Sequence, residues 1–208
     1  MYVASNERAS LPQLLTRTAD NSSFYAALTG ADRISDIGER ADYSAPPGYR
    51  LVRVDHRMHE GNSNEFEIAL LDDAEGSVAF YAKATLLSIP EVSERKVARH
   101  QIWRSTSMRH SLALREISRA VLFGYILRHY DLLLAEDAVT GDGKFYWHRQ
   151  VSRAIALGFH VYAYDLATQA LRSISTQCEL NDVHDLTWSI TSPVPLHALI
   201  STYSLVSQ

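Results

Sequence analysis

Residues 64–71 and 77–89 are two strand-patterned stretches separated by the turn Asp72-Asp73-Ala74-Glu75-Gly76, and no other feature constrains the chain as strongly. A short turn ending in glycine closes an antiparallel hairpin, because Gly76 can take the left-handed conformation at no steric cost. Upstream, residues 49–58 (YRLVRVDHRM) alternate apolar and polar side chains; downstream, residues 101–108 (QIWRSTSM) form another extended piece after the charged loop PEVSERKVARH. Three or four antiparallel strands in succession are therefore expected.

On either side of these strands the period changes to that of a helix. Leu14, Leu15, Phe24, Tyr25 and Leu28 recur at helical spacing up to Gly30, which predicts one or two short helices over 11–29, ended by the break SAPPGY at 44–49. Leu112, Ile117, Val121, Leu122, Tyr125 and Ile126 share one helical face behind a candidate cap, Ser111, and predict a helix over 111–128. Leu132–Ala135 is a continuous apolar run before Glu136 and Asp137 and reads as a buried strand. Asp142 is a candidate cap for a helix carrying Phe145, Trp147, Val151, Ile155 and Leu157 and stopping at Gly158. Strands at 159–164 and 171–175 follow, then LTWSI (186–190) as one more strand and PLHALISTYSL (195–205) as a short terminal helix. The order predicts a single α+β domain with a mixed, mostly antiparallel central sheet flanked by helices. Within it, 1–45 is a helical entry, 50–175 the core and 176–208 the closing strand and helix.

A chain of 208 residues that is 46% hydrophobic and 21% charged has the composition of an ordinary globular protein. At this size roughly 30% of the unfolded surface stays exposed, so a sizeable core forms without metals or disulfides. No apolar run reaches the ~18–20 residues that span a bilayer, and MYVASNERAS lacks a basic and an apolar leader region; a cytoplasmic protein without membrane contact is the expectation. Cys178 is alone, which excludes an internal disulfide and a cysteine-based zinc site.

Charge is unevenly spread. Residues 60–75 hold Glu60, Glu65, Glu67, Asp72, Asp73 and Glu75 with no Lys or Arg, whereas 95–119 hold seven basic residues, six of them Arg, against Glu116. Across the chain there are 17 Arg to 3 Lys, and the planar fork of Arg suits bidentate recognition of phosphate. Two readings stay open for the basic run: a phosphate site, or a solvated or interface face. A third, nucleic-acid binding by Arg95–Arg119 with Trp103 stacking on a base, is opposed by a pI of about 6.1. His56 and His59 would sit on opposite faces of a strand; His148, and His184 beside Asp182 and Asp185, complete no metal-ligand motif. Ser105, Ser107 and Ser111 lie in no G-x-S-x-G elbow, which disfavours a serine hydrolase.

The element order, with the first long helix directly behind a basic extended strand, resembles the GCN5-related N-acetyltransferase family, in particular its divergent phage-encoded members. That family carries a Gln/Arg-x-x-Gly-x-Gly/Ala loop from the fourth strand into the third helix. The corresponding stretch is Met108-Arg109-His110-Ser111-Leu112-Ala113, with Ala113 matching and Met108 and Ser111 departing. Within 132–165, Asp137, Gly143, Tyr146, Trp147, Gly158 and Phe159 match the family's order of acidic residue, loop, aromatic-bearing helix and Gly-aromatic strand start. The resemblance covers roughly 50–175. It implies acetyl transfer from acetyl-CoA to a primary amine of unidentified structure. The pyrophosphate would be held by residues 108–113, with Arg104, Arg109 and Arg115 supplying charge. A bulge at Trp103-Arg104-Ser105-Thr106 would splay the fourth strand from the fifth and present amides to the thioester carbonyl. The resemblance further implies Glu67 or Asp137 as the base and Tyr146 as the acid toward the leaving thiolate. A catalytically inactive scaffold that binds a partner is the alternative. Oligomeric state is not legible.

Overall fold

The computed structural model describes residues 15–57, 64–135, 143–188 and 197–205. Its elements are α1 (Thr18–Thr29), β1 (Ile34–Asp36), β2 (Tyr49–Asp55), β3 (Glu65–Asp72), β4 (Ser77–Leu87), β5 (Val97–Arg104), α2, β6 (Asp131–Ala135), α3 (Gly143–Ala156), β7 (His160–Tyr164), β8 (Leu171–Ser173), α4 (Gln177–Trp188) and β9 (His197–Ser201). Helix α2 runs from Ile117 to His129 and widens to π geometry over Ala120–Ile126. The nine strands form one sheet in the order β1-β2-β3-β4-β5-β6-β9-β7-β8, an α+β architecture that is antiparallel at every pairing except β5 with β6. No helix among the described residues is long and apolar enough to cross a membrane.

The hairpin is where the sequence places it. Strands β3 and β4 pair from Glu65↔Thr85 to Asp72↔Ser77, and Gly76 has φ +60°. The helical entry ends at Gly30, whose N–H reaches the Ala26 carbonyl at 2.9 Å, and residues 11–14 of the expected stretch lie outside the described residues. Buried Asn21 clasps the start of β4 with both ends of its amide: Val78 N–H donates to Oδ1 at 2.7 Å, and Nδ2 donates to Val78 O at 3.1 Å. Helix α3 stops before Gly158 at φ +79°. Its core-facing residues are Trp147, Gln150, Val151 and Ala154, whereas Phe145 and Leu157, expected on the apolar face, are exposed.

Three expectations are corrected. The long helix begins at Ile117 and not at Ser111, which is itself in right-handed geometry and closes the 3-10 turn before it. Residues 108–116 instead form a short 3-10 turn and bends, pinned because the Tyr43 hydroxyl donates to the Ala113 carbonyl and His110 bonds Tyr49. The stretch 186–190, expected as a strand, begins inside α4. The terminal segment expected as a helix is instead strand β9, inserted antiparallel between β6 and β7, with every residue from His197 to Ser201 buried. Burial on both faces removes the alternation that identifies a strand.

Strand alternation divides the interior. On one face Ile68, Phe80, Ile102, Leu132, Leu134 and Ile200 pack with α2, α3 and α4. On the other, Val52, Val54, Ala69 and Tyr81 pack under α1, and Leu133, Leu199 and Tyr164 pack with Val92 and Val97. Helix α2 approaches the Glu39–Ala41 turn so closely at Gly124 that a Cβ there would stand 2.3 Å from the Ala41 carbonyl oxygen.

Candidate functional site

The single parallel pairing in the sheet is incomplete. Strands β5 and β6 pair only at Val97↔Asp131, Ala98↔Leu132 and Arg99↔Leu133, whereas β4 accompanies β5 through eight positions to Arg104. From His100 onward the β6-facing edge of β5 has no strand partner among the described residues. Strands so joined need a crossover, here through α2. The crevice beyond the carboxyl ends of parallel strands is where such sheets bind ligands.

At that open end lies a groove of about 500 Å³. Arg104 at the end of β5, Arg115 and Ser118 at the start of α2, and Arg149, Gln150 and Arg153 on α3 line it. The one carboxylate among them is Glu116, held at φ +60°, which accepts from Arg153 on α3 and forms an ion pair with Arg119 at 3.2 Å. Among the described residues, Arg104, Arg115 and Arg149 have no carboxylate within ion-pair distance; the Arg149 guanidinium stands 5.9 Å from the Tyr146 ring centroid. Three arginines with no paired acid among the described residues, lining one groove, give it a positive charge suited to an anion.

Tyr146 stands behind this groove, buried, with its hydroxyl aligned to no hydrogen-bond partner. Burial pushes the phenol well above its usual range, and Ser118 and Arg149 offset only part of the rise. The group is thus protonated at neutral pH, and the same burial makes it a weaker acid than a free phenol. His100, the first residue of β5 beyond its pairing with β6, is 1% exposed; burial lowers its imidazole to about 4, against an opposing effect of the Leu133 backbone.

The remaining residues singled out in the sequence are dispersed. Arg109 is turned away from the groove: Nη1 pairs with Glu75 at 2.8 Å, and Nε and Nη2 pair with buried Asp72 at 3.0 Å. Burial lowers His110, partly countered by Asp72, and its ring bonds the Tyr49 hydroxyl at 3.0 Å. Met108, Ser111 and Leu112 are exposed and Ala113 is buried. Trp103 packs its ring on the α1 side of the sheet; Ser105 donates its backbone N–H to Ala79 O at 2.9 Å, and Thr106 is exposed. The basic run therefore forms no single stripe, since Arg95 is at the opposite end of β5 in a pair with Asp131 at 3.1 Å.

Glu67 also lies on the α1 side. Its carboxylate accepts from Arg57 at 2.6 and 2.9 Å and from the Tyr81 hydroxyl at 2.6 Å, and it is 3% exposed. Asp137 falls outside the described residues, as does Asp142. Among the described residues no three His, Cys, Asp or Glu side chains gather as a metal would require.

Sequence reasoning missed Arg149, Arg153, Ser118, Gln150 and His100. A signal existed for the first two: Arg149 and Arg153 are four apart and so share one helix face. No protein-family model matches the sequence, and no curated protein matches it.

Proposed function

We propose that the protein is an N-acyltransferase of the GCN5-related type, taking its acyl group from acetyl-CoA and passing it to a primary amine. The observation that carries this reading is the parting of parallel strands β5 and β6 after three pairs, with an arginine-lined groove at the open end. Counting from β2, β5 and β6 stand where the family has the fourth and fifth strands that splay apart. The crossover helix follows the fourth, as the resemblance implies.

On this reading Arg104, Arg115 and Arg149 hold the diphosphate by charge-assisted hydrogen bonds, in place of the 108–113 loop. The β6-facing edge of β5 beyond Arg99, where pairing with β6 ends, would turn backbone amides to the acyl carbonyl and stabilise the oxyanion that forms when the amine attacks. The carbon–sulfur bond then breaks, the departing sulfur takes the Tyr146 proton, and the proton that the attacking amine sheds restores the phenol, so that amide and free thiol are the products. Two departures from the family accompany the reading: α1 lies ahead of the sheet in the chain, and Met108 and Ser111 break the family's loop motif.

The test is a calorimetric titration with acetyl-CoA, paired with a thermal melt. At a hundred times its dissociation constant the ligand should add about 2.7 kcal/mol to stability. A thiol-release assay over a panel of primary amines then separates a working enzyme from a scaffold that only binds. No heat, no shift in melting and no thiol release would overturn the proposal.

A further inference from the structure

A second hollow, of about 570 Å³ and within the size range of small-molecule sites, lies where β5 and β6 begin. Strand β5, eight residues and roughly 25 Å long, separates it from the arginine groove at the other end. The loop between β4 and β5 walls one side with Glu91 and Glu94, and the stretch after β9 walls the other with Tyr203 and Leu205.

The floor of this hollow is complete in itself. The Asp131 carboxylate, 0% exposed, accepts from the Ser93 hydroxyl and from Arg95 at 3.1 Å. Arg95 donates further to the Thr202 hydroxyl at 2.9 Å and to the Leu127 carbonyl at 3.2 Å. The charge left over is at the rim, where Glu91 and Glu94 are exposed and have no ion-pair partner among the described residues. Their negative field reaches inward: the Tyr164 phenol is pushed up, first by burial and then by Glu91. The Tyr203 ring is 67% exposed although it lines the hollow, and its centroid stands 5.7 Å from the Arg95 guanidinium carbon.

These features select a ligand by charge. An anion would meet two bare carboxylates and an arginine already engaged with Asp131, Thr202 and Leu127. A neutral apolar molecule would take water from Glu91 and Glu94 and return no counter-charge. A metal ion lacks its ligands, since no three His, Cys, Asp or Glu side chains gather among the described residues. An organic ammonium meets every wall, because its charge pairs with the carboxylates while its carbon body lies on the tyrosine ring and Leu205.

We propose that this hollow is a binding site for a small organic ammonium with an apolar body, held between the Glu91 and Glu94 carboxylates and the Tyr203 ring. The site is separate from the groove and does not rest on the acyltransferase reading.

The experiment titrates benzylammonium, benzyl alcohol and benzoate, which share one ring and differ in charge, into the protein by calorimetry at low ionic strength. Benzylammonium should bind saturably, benzyl alcohol about tenfold more weakly and benzoate not at all. The double variant Glu91→Gln/Glu94→Gln should lose about tenfold in benzylammonium affinity, and Tyr203→Ala about fivefold. All three side chains are exposed, so both variants should melt with the parent and keep its ADP affinity within about twofold. Binding that ignores the charge of the three molecules, or that survives both variants unchanged, overturns the proposal. So does the absence of saturable benzylammonium binding, whatever ADP does at the groove.

Discussion

The Glu116 carboxylate, at the turn into α2, accepts a hydrogen bond from the Arg153 guanidinium on α3, a contact 37 residues apart in sequence that ties together the two helices flanking the groove. The same carboxylate neutralises part of the groove's positive charge. Both groups are partly exposed, so the pair itself contributes less than about 1 kcal/mol. Glu116→Gln should therefore leave the fold intact and tighten ADP binding at low ionic strength. The gain should fade as salt is raised, because exposed charges are screened. Affinity that falls, or a gain that ignores salt, contradicts a groove selecting anions by charge.

Arg104 and Arg109 should behave oppositely. Arg104→Ala removes an arginine that lines the groove with no carboxylate partner among the described residues, and should weaken ADP binding about tenfold. Arg109→Ala takes the guanidinium away from Asp72, which is 1% exposed, and should lower stability in a denaturant melt with ADP affinity nearly unchanged. Equal effects of the two substitutions on binding would return the 108–113 loop to the site.

Tyr146→Phe keeps the ring in its packing and deletes a hydroxyl that has no aligned partner. Stability should hold or rise slightly. If the phenol protonates the leaving thiolate, turnover in the thiol-release assay should drop by about 10²–10⁴-fold with coenzyme A affinity retained. A rate within a few-fold of the parent removes Tyr146 from proton transfer.

Two glycines should fail for different reasons. Gly124→Ala drives a Cβ against the Ala41 carbonyl oxygen, backbone against which α2 cannot shift freely, and should cost about 1–3 kcal/mol. Gly158 has open space around it but φ +79°, so Gly158→Val should cost about 1–2 kcal/mol through backbone conformation alone. Gly158→Asn, which tolerates left-handed geometry, should recover part of that loss, whereas no small side chain rescues position 124.

Acid should destabilise the fold through His100. Its imidazole titrates at about 4 in the folded protein, below the ordinary 6.5 that it regains on unfolding. The unfolded chain therefore binds the extra proton first as pH falls, and stability present above pH 6.5 is lost progressively down to about 4, by about 2 kcal/mol at pH 5. His110, also lowered by burial, adds to the same slope. Urea melts at pH 7.5 and 5 should differ less in His100→Leu than in the parent; identical differences would show that His100 does not carry the slope.

Local chemistry alone determined much of the sheet. The β3–β4 hairpin follows from two strand patterns around a turn ending in Gly76, and the stops of α1 and α3 follow from Gly30 and Gly158, because these depend on neighbours within a few residues. Tertiary contacts decided the rest. Residues 197–201 became a strand because β6 and β7 left a gap that buries both of its faces, and a segment buried all round has no period to read. The start of α2 moved to Ile117 because Tyr43 and Tyr49, from distant parts of the chain, hold residues 108–116 in bends. The candidate site was legible only in part. Arg104, Arg115 and Tyr146 could be singled out by type and place, but which arginines stay free for an anion depended on where Asp72, Glu75 and Glu116 came to rest. Charge pairing across a fold is a property of three-dimensional neighbours, and sequence spacing does not record it.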